Sequence, residues 1–307
     1  MIAPSLNIAA YRFVPLSDLP ALQATLLAQA TRHGLTGTVL LAPEGINLFL
    51  AGASERVEAW LGRLQADARF AGIPVKRSWS KAAPFKRLKV KIKREIVRMD
   101  LPTLRPARQR PPGVAPRTLA RWLRQGHDDA GRPVKLLDTR NAFEVDAGAF
   151  EGRIDWRLGK FSDFPAALAA HRDDLAGATV VSYCTGGIRC EKAALVMQDL
   201  GLDHCYQLDG GILQYFEDTA GAAPGWRGQC FVFDERGSVD AHLTPGMAAV
   251  SMACAATASA TPSATATATA SATASATATA TTAPTASPSR RISTACFAAS
   301  AMRWGRW

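Results

Sequence analysis

The segment spanning residues 183–192 constrains this chain most, because it places a single thiol between a strand and a helix. Residues 178–183 predict a short buried strand, and residues 191–200 predict a helix that Gly201 ends. Cys184 therefore follows the strand directly and faces a helix N-terminus, which carries roughly half a positive charge. We expect its thiolate to form well below the free thiol pKa of about 8.5, as a nucleophile requires.

The loop after this cysteine can surround the sulfur with backbone N–H groups. Its members are Thr185, Gly186, Gly187, Ile188 and Arg189. The two glycines should permit close backbone approach and positive φ angles. The loop amides and the Arg189 guanidinium would stabilise an anionic sulfur. The loop is shorter than the one with which cysteine-dependent phosphatases cradle a phosphate, so it suits sulfur better. Cys190 is either a packed helix residue or a resolving thiol.

Length and composition limit the classes of protein that the chain can form. Its 307 residues are enough for two domains, and a hydrophobic content of 48% predicts a core through most of the chain. Since no apolar stretch reaches about 20 residues and no basic leader precedes one, we expect a cytoplasmic protein without a membrane partner. The six cysteines lack C-x-x-C spacing, so neither a metal site nor a disulfide framework is predicted.

Residues 1–100 predict a ferredoxin-like α+β domain, because strand and helix patterns follow one another in two βαβ halves. Residues 42–47 predict a hairpin turn within it. Residues 76–98 contain ten Lys or Arg residues and one acid. Alternation over residues 88–93 places Leu88, Val90 and Ile92 on one strand face and three lysines on the other. Such a face suits a phosphate backbone, or it is a solvated edge strand that lysines protect. The candidate RNA-binding residues are Lys86, Arg87, Lys89, Lys91 and Lys93.

The rest of the chain divides into four parts. Residues 101–113 are rich in Pro and Arg and predict a linker. Residues 114–225 alternate strands and helices, among them strands at 134–138 and 205–208 and a helix at about 161–175. This order predicts an α/β domain with an open parallel sheet and helices on both faces. Residues 226–245 form a C-terminal extension. Residues 246–307 are rich in Ala and Thr and predict a disordered tail.

Two charged residues fall at the carboxyl ends of strands in the α/β domain, where open parallel sheets bind ligands. They are Asp138 and Arg140, and we expect them to share a crevice with Cys184. Asp138 either caps a turn or takes part in the reaction. Arg140 binds either an acid or the substrate. Both are therefore predicted as supporting residues of the site.

Several motifs of this chain resemble those of a known family. The pattern from Asp138-Thr-Arg-Asn to Glu144 and Gly148, the block Cys-Thr-Gly-Gly-Ile-Arg-Cys-Glu-Lys at 184–192, and Leu-Asp-Gly-Gly-Ile-Leu at 208–213 resemble a rhodanese domain. With Ala-Pro-Glu-Gly-Ile-Asn at 42–47, the lysine-rich strand and Cys-Phe-Val-Phe-Asp-Glu-Arg at 230–236, residues 5–245 resemble the oxygen-dependent tRNA uridine hydroxylases.

The resemblance implies a function that the composition and spacing do not. It implies that Cys184 is catalytic, that it passes through a persulfide, and that the wobble uridine of tRNA gains a hydroxyl group. It also implies the anticodon arm of tRNA, not DNA, as the nucleic-acid partner, together with a sulfur donor. Molecular oxygen is the implied co-substrate, and no cofactor is predicted.

Two other functions fit the same residues. One is a rhodanese-type sulfurtransferase that moves sulfane sulfur to a small-molecule or protein thiol. Thiosulfate sulfurtransferase activity without hydroxyuridine in tRNA would favour it. The other is a non-catalytic RNA-binding or sulfur-carrier module. Modification of tRNA that survives Cys184→Ser would favour that module.

Overall fold

Apolar residues that alternate along the strands build the first domain. The computed structural model describes residues 4–246. The elements of the first domain are β1 (Ser5–Phe13), α1 (Leu19–Arg32), β2 (Thr36–Ala42), β3 (Gly45–Gly52), α2 (Ser54–Gln65), β4 (Val75–Ser80) and β5 (Leu88–Ile92). The sheet order is β4-β1-β3-β2-β5, and β5 runs parallel to β2. The first four strands and the two helices form the predicted ferredoxin-like βαββαβ unit, so that prediction is confirmed.

A second sheet, all parallel, forms the core of the α/β domain. The elements that follow the first domain are β6 (Gly113–Val114), α3 (Pro116–Gln125), β7 (Val134–Asp138), α4 (Ala142–Ala147), β8 (Gly148–Phe150), α5 (Phe164–Ala170), β9 (Thr179–Tyr183), α6 (Ile188–Asp199), β10 (Cys205–Leu208), α7 (Gly211–Asp218), β11 (Trp226–Gly228), β12 (Cys230–Phe231) and β13 (Ser238–Val239). The sheet order is β6-β10-β9-β7. Helices α3 and α7 pack with Leu136 and Val181 on one face, and α5 and α6 pack with Leu137 and Val180 on the other. The prediction of helices on both faces is confirmed.

The segments that flank the α/β domain are packed against it. Residues 101–112 contain no helix or strand, but Leu101 and Leu104 lie against the core beneath α5 and α6. In the C-terminal extension, β11 pairs with β8, and Trp226 and Cys230 are buried in the core beneath α3 and α7. The predicted Ala/Thr tail lies, apart from Gly246, outside the described residues.

The two faces of the first sheet have different partners. Leu6 and Ile8 of β1 are buried in one cluster with α1 and α2. The two-residue period of a strand puts Tyr11 on the opposite face. There its hydroxyl donates a hydrogen bond to Glu191 of α6 at 2.9 Å. The face without helices therefore covers the start of α6.

Two local predictions were wrong. Residues 161–175 do not form one helix: α5 spans Phe164–Ala170 between two short 3-10 turns, because Pro165 in its first turn lacks the N–H that a longer helix needs. Helix α6 begins at Ile188, three residues earlier than predicted, because Gly187 adopts a left-handed conformation before it. In β5, Val90 is buried in the core of the first domain, whereas Ile92 at the end of the strand is exposed. None of the described helices is long and apolar enough to cross a membrane.

Candidate active site

Cys184 lies between the end of β9 and the start of α6, as the sequence predicted. Its side chain is fully buried. The N–H of Gly187 donates a hydrogen bond to the Cys184 Sγ at 3.1 Å, and Gly187 precedes the first residue of α6. The sulfur therefore faces the positive end of the helix dipole.

The surroundings of Cys184 favour its thiolate. Burial alone would raise the pKa of this thiol. A hydrogen bond from Cys190, the charge of Arg189, and the N–H groups of Arg189 and Gly187 act against burial and lower the pKa to about 5. Burial, together with the hydrogen bond and charge of Cys184, raises the pKa of Cys190 well above the ordinary thiol value. At neutral pH the site therefore holds one thiolate beside one thiol.

The two loop glycines have different roles, so the shared role predicted for them was wrong. Gly187 has a φ of +98°, and a Cβ atom there would lie 3.0 Å from the Tyr11 hydroxyl. Gly186 has no such φ, and no atom lies within 4 Å of the position of its Cβ, because it faces open space. Of the two, only Gly187 has to be a glycine, because its φ angle and the nearby Tyr11 hydroxyl both exclude a side chain.

A second helix N-terminus supports the loop from behind. The N–H groups of Ile212 and Leu213, in the first turn of α7, donate to the carbonyl oxygens of Cys184 and Thr185 at 3.0 and 3.1 Å. A Cβ at Gly211 would lie 2.3 Å from the Cys184 carbonyl oxygen. The contact with the cysteine loop thus explains the Asp-Gly-Gly motif, whose second glycine begins α7.

Glu144, to which the sequence pattern assigned no role, holds the Arg189 guanidinium. Its two carboxylate oxygens accept hydrogen bonds of 2.6 and 2.7 Å from Arg189, and both side chains are buried. Burial would raise the pKa of Glu144, but Arg189 and the N–H of Asn141 lower it below its usual value. The position of Glu144 three residues after Asn141, at a helix start, was the available signal. Fixed in this way, Arg189 keeps its charge close to Cys184.

Asp138 and Arg140 form a buried ion pair of their own. Arg140 Nη2 donates to an Asp138 carboxylate oxygen at 2.6 Å, and neither side chain is exposed. Arg140 also donates to the carbonyl oxygens of Glu144 and Gly148. Among the described residues, no hydrogen bond joins this pair to Cys184, although Asp138 lies opposite Tyr183, the residue before the cysteine, so the crevice expected to unite all three stays a prediction. Because both side chains are buried, each charge is satisfied by the other, and Arg140 also by backbone carbonyl oxygens.

The first domain contributes residues to the site that the sequence did not reveal. The Tyr11 hydroxyl lies beside Gly187 and donates to Glu191. Lys192, the last residue of the motif, is buried and pairs with Glu44 at 2.9 Å and Glu95 at 2.5 Å. The predicted hairpin turn, which β2 and β3 form, carries Glu44. The end of the cysteine motif therefore joins the two domains.

One side of the loop faces solvent. Thr185, Gly186 and Ile188 are half-buried, and Thr185 contacts the backbone of Phe231. Phe231 makes edge contacts at 5.2 Å with the half-exposed rings of Phe143 and Phe233. The Arg189 guanidinium lies over the Phe233 ring. We call Phe143, Phe231 and Phe233 the aromatic patch.

The lysines of β5 lie on the edge of the first sheet. Lys89 and Lys91 are half-buried, and Lys93, Lys86 and Arg87 are exposed. Lys86 lies 3.6 Å from Glu235 of the C-terminal extension. Within residues 4–246, no three His, Cys, Asp or Glu side chains lie together as the ligands of a metal ion would.

Comparison with known proteins agrees with this architecture. Residues 5–96 match the model of the UPF0176 acylphosphatase-like domain, and residues 119–218 match that of the rhodanese-like domain. The fold and the cysteine loop thus define a rhodanese-domain protein with an acylphosphatase-like domain before it.

Curated proteins resemble nearly the whole described chain. A tRNA uridine(34) hydroxylase of Bordetella petrii is 61% identical over 249 residues, which are 81% of this chain and 98% of that protein. Proteins of the same name from Delftia acidovorans and Bordetella pertussis are 60% and 57% identical, over 78% of this chain and 90% and 97% of theirs. The chain belongs to the tRNA uridine(34) hydroxylase family.

Proposed function

We propose that this protein hydroxylates the wobble uridine of tRNA to 5-hydroxyuridine, with Cys184 as the catalytic residue. The observation that carries the proposal is the buried Cys184 thiolate, held by amides of its own loop and by Arg189. The names of relatives more than half identical to this chain support the reaction. Since the substrate is a tRNA, we expect the enzyme to act in the cytoplasm.

The thiolate is suited to hold a sulfane sulfur. When the Cys184 thiolate attacks the sulfane sulfur of a donor, a sulfur–sulfur bond forms, the donor's bond to that sulfur breaks, and its electrons leave with the donor. The persulfide is anionic, and the cradle of Thr185 to Arg189 would stabilise it as it stabilises the thiolate. In the resting state the Cys190 thiol donates a hydrogen bond to the Cys184 thiolate. Cys190 is also the candidate resolving thiol. Asp138 and Arg140 support the site as structural residues, at the end of the strand that pairs with β9.

The anticodon arm is the proposed RNA partner. The aromatic patch borders the half-exposed side of the loop, and unpaired bases stack on exposed aromatic rings. Lys86, Arg87, Lys89, Lys91 and Lys93 would contact the phosphates. Affinity for tRNA should then fall steeply with salt. A double variant, Lys91→Ala with Lys93→Ala, should reduce the slope of log affinity against log salt by about two, and an affinity insensitive to salt would exclude this surface.

The reaction is tested by nucleoside mass spectrometry of total tRNA from cells that lack the protein, with and without the wild-type gene restored. Return of 5-hydroxyuridine or its derivatives supports the hydroxylase. If no uridine derivative changes while the purified protein transfers sulfur from thiosulfate to cyanide, the sulfurtransferase is the correct function. If neither occurs, the non-catalytic module remains.

A further inference from the structure

Lys76 carries a buried amine without a partner. Among the described residues, its Nζ is the only lysine or arginine nitrogen that is both fully buried and without a hydrogen-bond partner. The buried cations Arg140, Arg189 and Lys192 each pair with a carboxylate. A buried ammonium without a counter-ion is costly, so its presence calls for a reason other than stability.

The position of Lys76 connects the first domain to the cysteine loop. Lys76 lies in β4 opposite Ala9 of β1, on the same face of the sheet as Tyr11. A Cβ at Gly210, the residue before α7, would lie 3.0 Å from the Lys76 Nζ. Gly210 in turn packs against Gly187, whose N–H binds the Cys184 sulfur. The amine thus reaches the two helix N-termini that hold the cysteine loop.

In the resting site, the negative charges near Lys76 do not fully offset the effect of burial on its ammonium group. Burial lowers the pKa of Lys76 to about 8, and the negative charges of Cys184, Glu217 and Asp218 oppose this only in part. At neutral pH the amine is therefore mainly protonated, although burial weakens its hold on the proton. A further negative charge arriving in the pocket would pair with the ammonium and keep it protonated.

We propose that Lys76 is a functional residue of the Cys184 site, where its amine supplies the hydrogen-bond donor and positive charge for an anionic atom held beside Cys184 during the reaction. The inference rests on the proposed function and adds to it a residue from the other domain. Two atoms have this chemistry: the terminal sulfur of a Cys184 persulfide, and a pyrimidine oxygen of the uridine. No bond is made or broken by Lys76 in either case.

The test uses the full chain with Lys76→Met, which keeps the length of the side chain and removes the amine. Lys81→Met, at an exposed position just beyond β4, is the matched control. Three quantities are measured for each variant: 5-hydroxyuridine in the tRNA of complemented cells, the rate at which thiosulfate sulfur appears on Cys184 by intact-protein mass spectrometry, and the thermal midpoint.

Lys76→Met should lower 5-hydroxyuridine formation by about tenfold or more, the effect of losing a hydrogen bond to a charged group, while Lys81→Met changes nothing. The midpoint should stay equal or rise, because methionine removes an unpaired buried charge. If sulfur loading falls in parallel with 5-hydroxyuridine formation, the anionic atom is the terminal sulfur of the Cys184 persulfide. If loading is unchanged, it is the pyrimidine oxygen of the uridine.

Two results overturn the inference. In the first, Lys76→Met keeps both hydroxyuridine formation and sulfur loading within about twofold of wild type. In the second, both are lost and the thermal midpoint falls as well, which is the pattern of a structural residue. The proposed function is judged separately by whether the wild-type gene restores hydroxyuridine. If it does not, slower sulfur loading in Lys76→Met still supports the role of Lys76 at Cys184, and unchanged loading refutes it.

Discussion

Replacing Glu144 by Gln should destabilise the rhodanese domain more than any surface change, because it removes the carboxylate that binds the buried Arg189 guanidinium through both of its oxygens. The carboxylate binds the guanidinium through two hydrogen bonds of 2.6 and 2.7 Å, and the side chains of Arg189 and Glu144 are 8% and 0% exposed. Removing one partner of such a pair costs about 3–5 kcal/mol. For a chain of this size the thermal midpoint should fall by about 6–20 °C.

The assay is urea denaturation followed by tryptophan fluorescence, with Glu151→Gln as the matched control. Glu151 pairs with Arg227 at 2.5 Å, but these side chains are 54% and 79% exposed, so the control should lose at most about 1 kcal/mol. The folded-state pKa of Glu144 lies below the unfolded value of 4.5, so its contribution is present above that pH and is lost as the pH falls toward the folded-state pKa. The reasoning is refuted if Glu144→Gln costs no more than Glu151→Gln at neutral pH.

Two further predictions concern the cysteine loop. Cys190→Ala removes the hydrogen bond that helps hold the pKa of Cys184 at about 5, so the step in thiolate ultraviolet absorbance should move to higher pH; an unmoved step would show that Cys190 does not donate. Gly187→Ala should cost about 1–2 kcal/mol or more in the free energy of unfolding, because its φ of +98° and the Tyr11 hydroxyl exclude a Cβ. Gly186→Ala faces open space and should change it by less than about 0.5 kcal/mol, and equal losses in the two variants would contradict this assignment.

Local patterns predicted the elements that carry the site. The strand 134–138 and the strand 205–208 were predicted at the bounds that the structure gives, because short apolar runs between turn residues mark buried strands. The cysteine's place after β9 followed from the same signal. The start of α6 was misplaced because a left-handed glycine, and not a side-chain cap, begins that helix.

The contacts that complete the site could not be predicted in the same way. Tyr11 and Glu191 are 180 residues apart, and no periodicity or capping rule links positions so distant. Lys76 was one of ten basic residues in its segment, and only the packing of β4 against Gly210 distinguishes it. The pairing of Glu144 with Arg189 likewise depends on how the loop closes. Burial of each charge is a property of the assembled fold.

The central claim is that the Cys184 thiolate acts on the wobble uridine. The most direct measurement is mass spectrometry of anticodon fragments of tRNA from cells that lack the protein, complemented with wild type, Cys184→Ser or Cys205→Ser. Cys205 is buried in the core of the same domain, and burial raises its pKa to about 12, so its variant controls for loss of a buried thiol. We predict 5-hydroxyuridine at position 34 with wild type and Cys205→Ser and none with Cys184→Ser. Position 34 hydroxylated at the wild-type level in Cys184→Ser would contradict it.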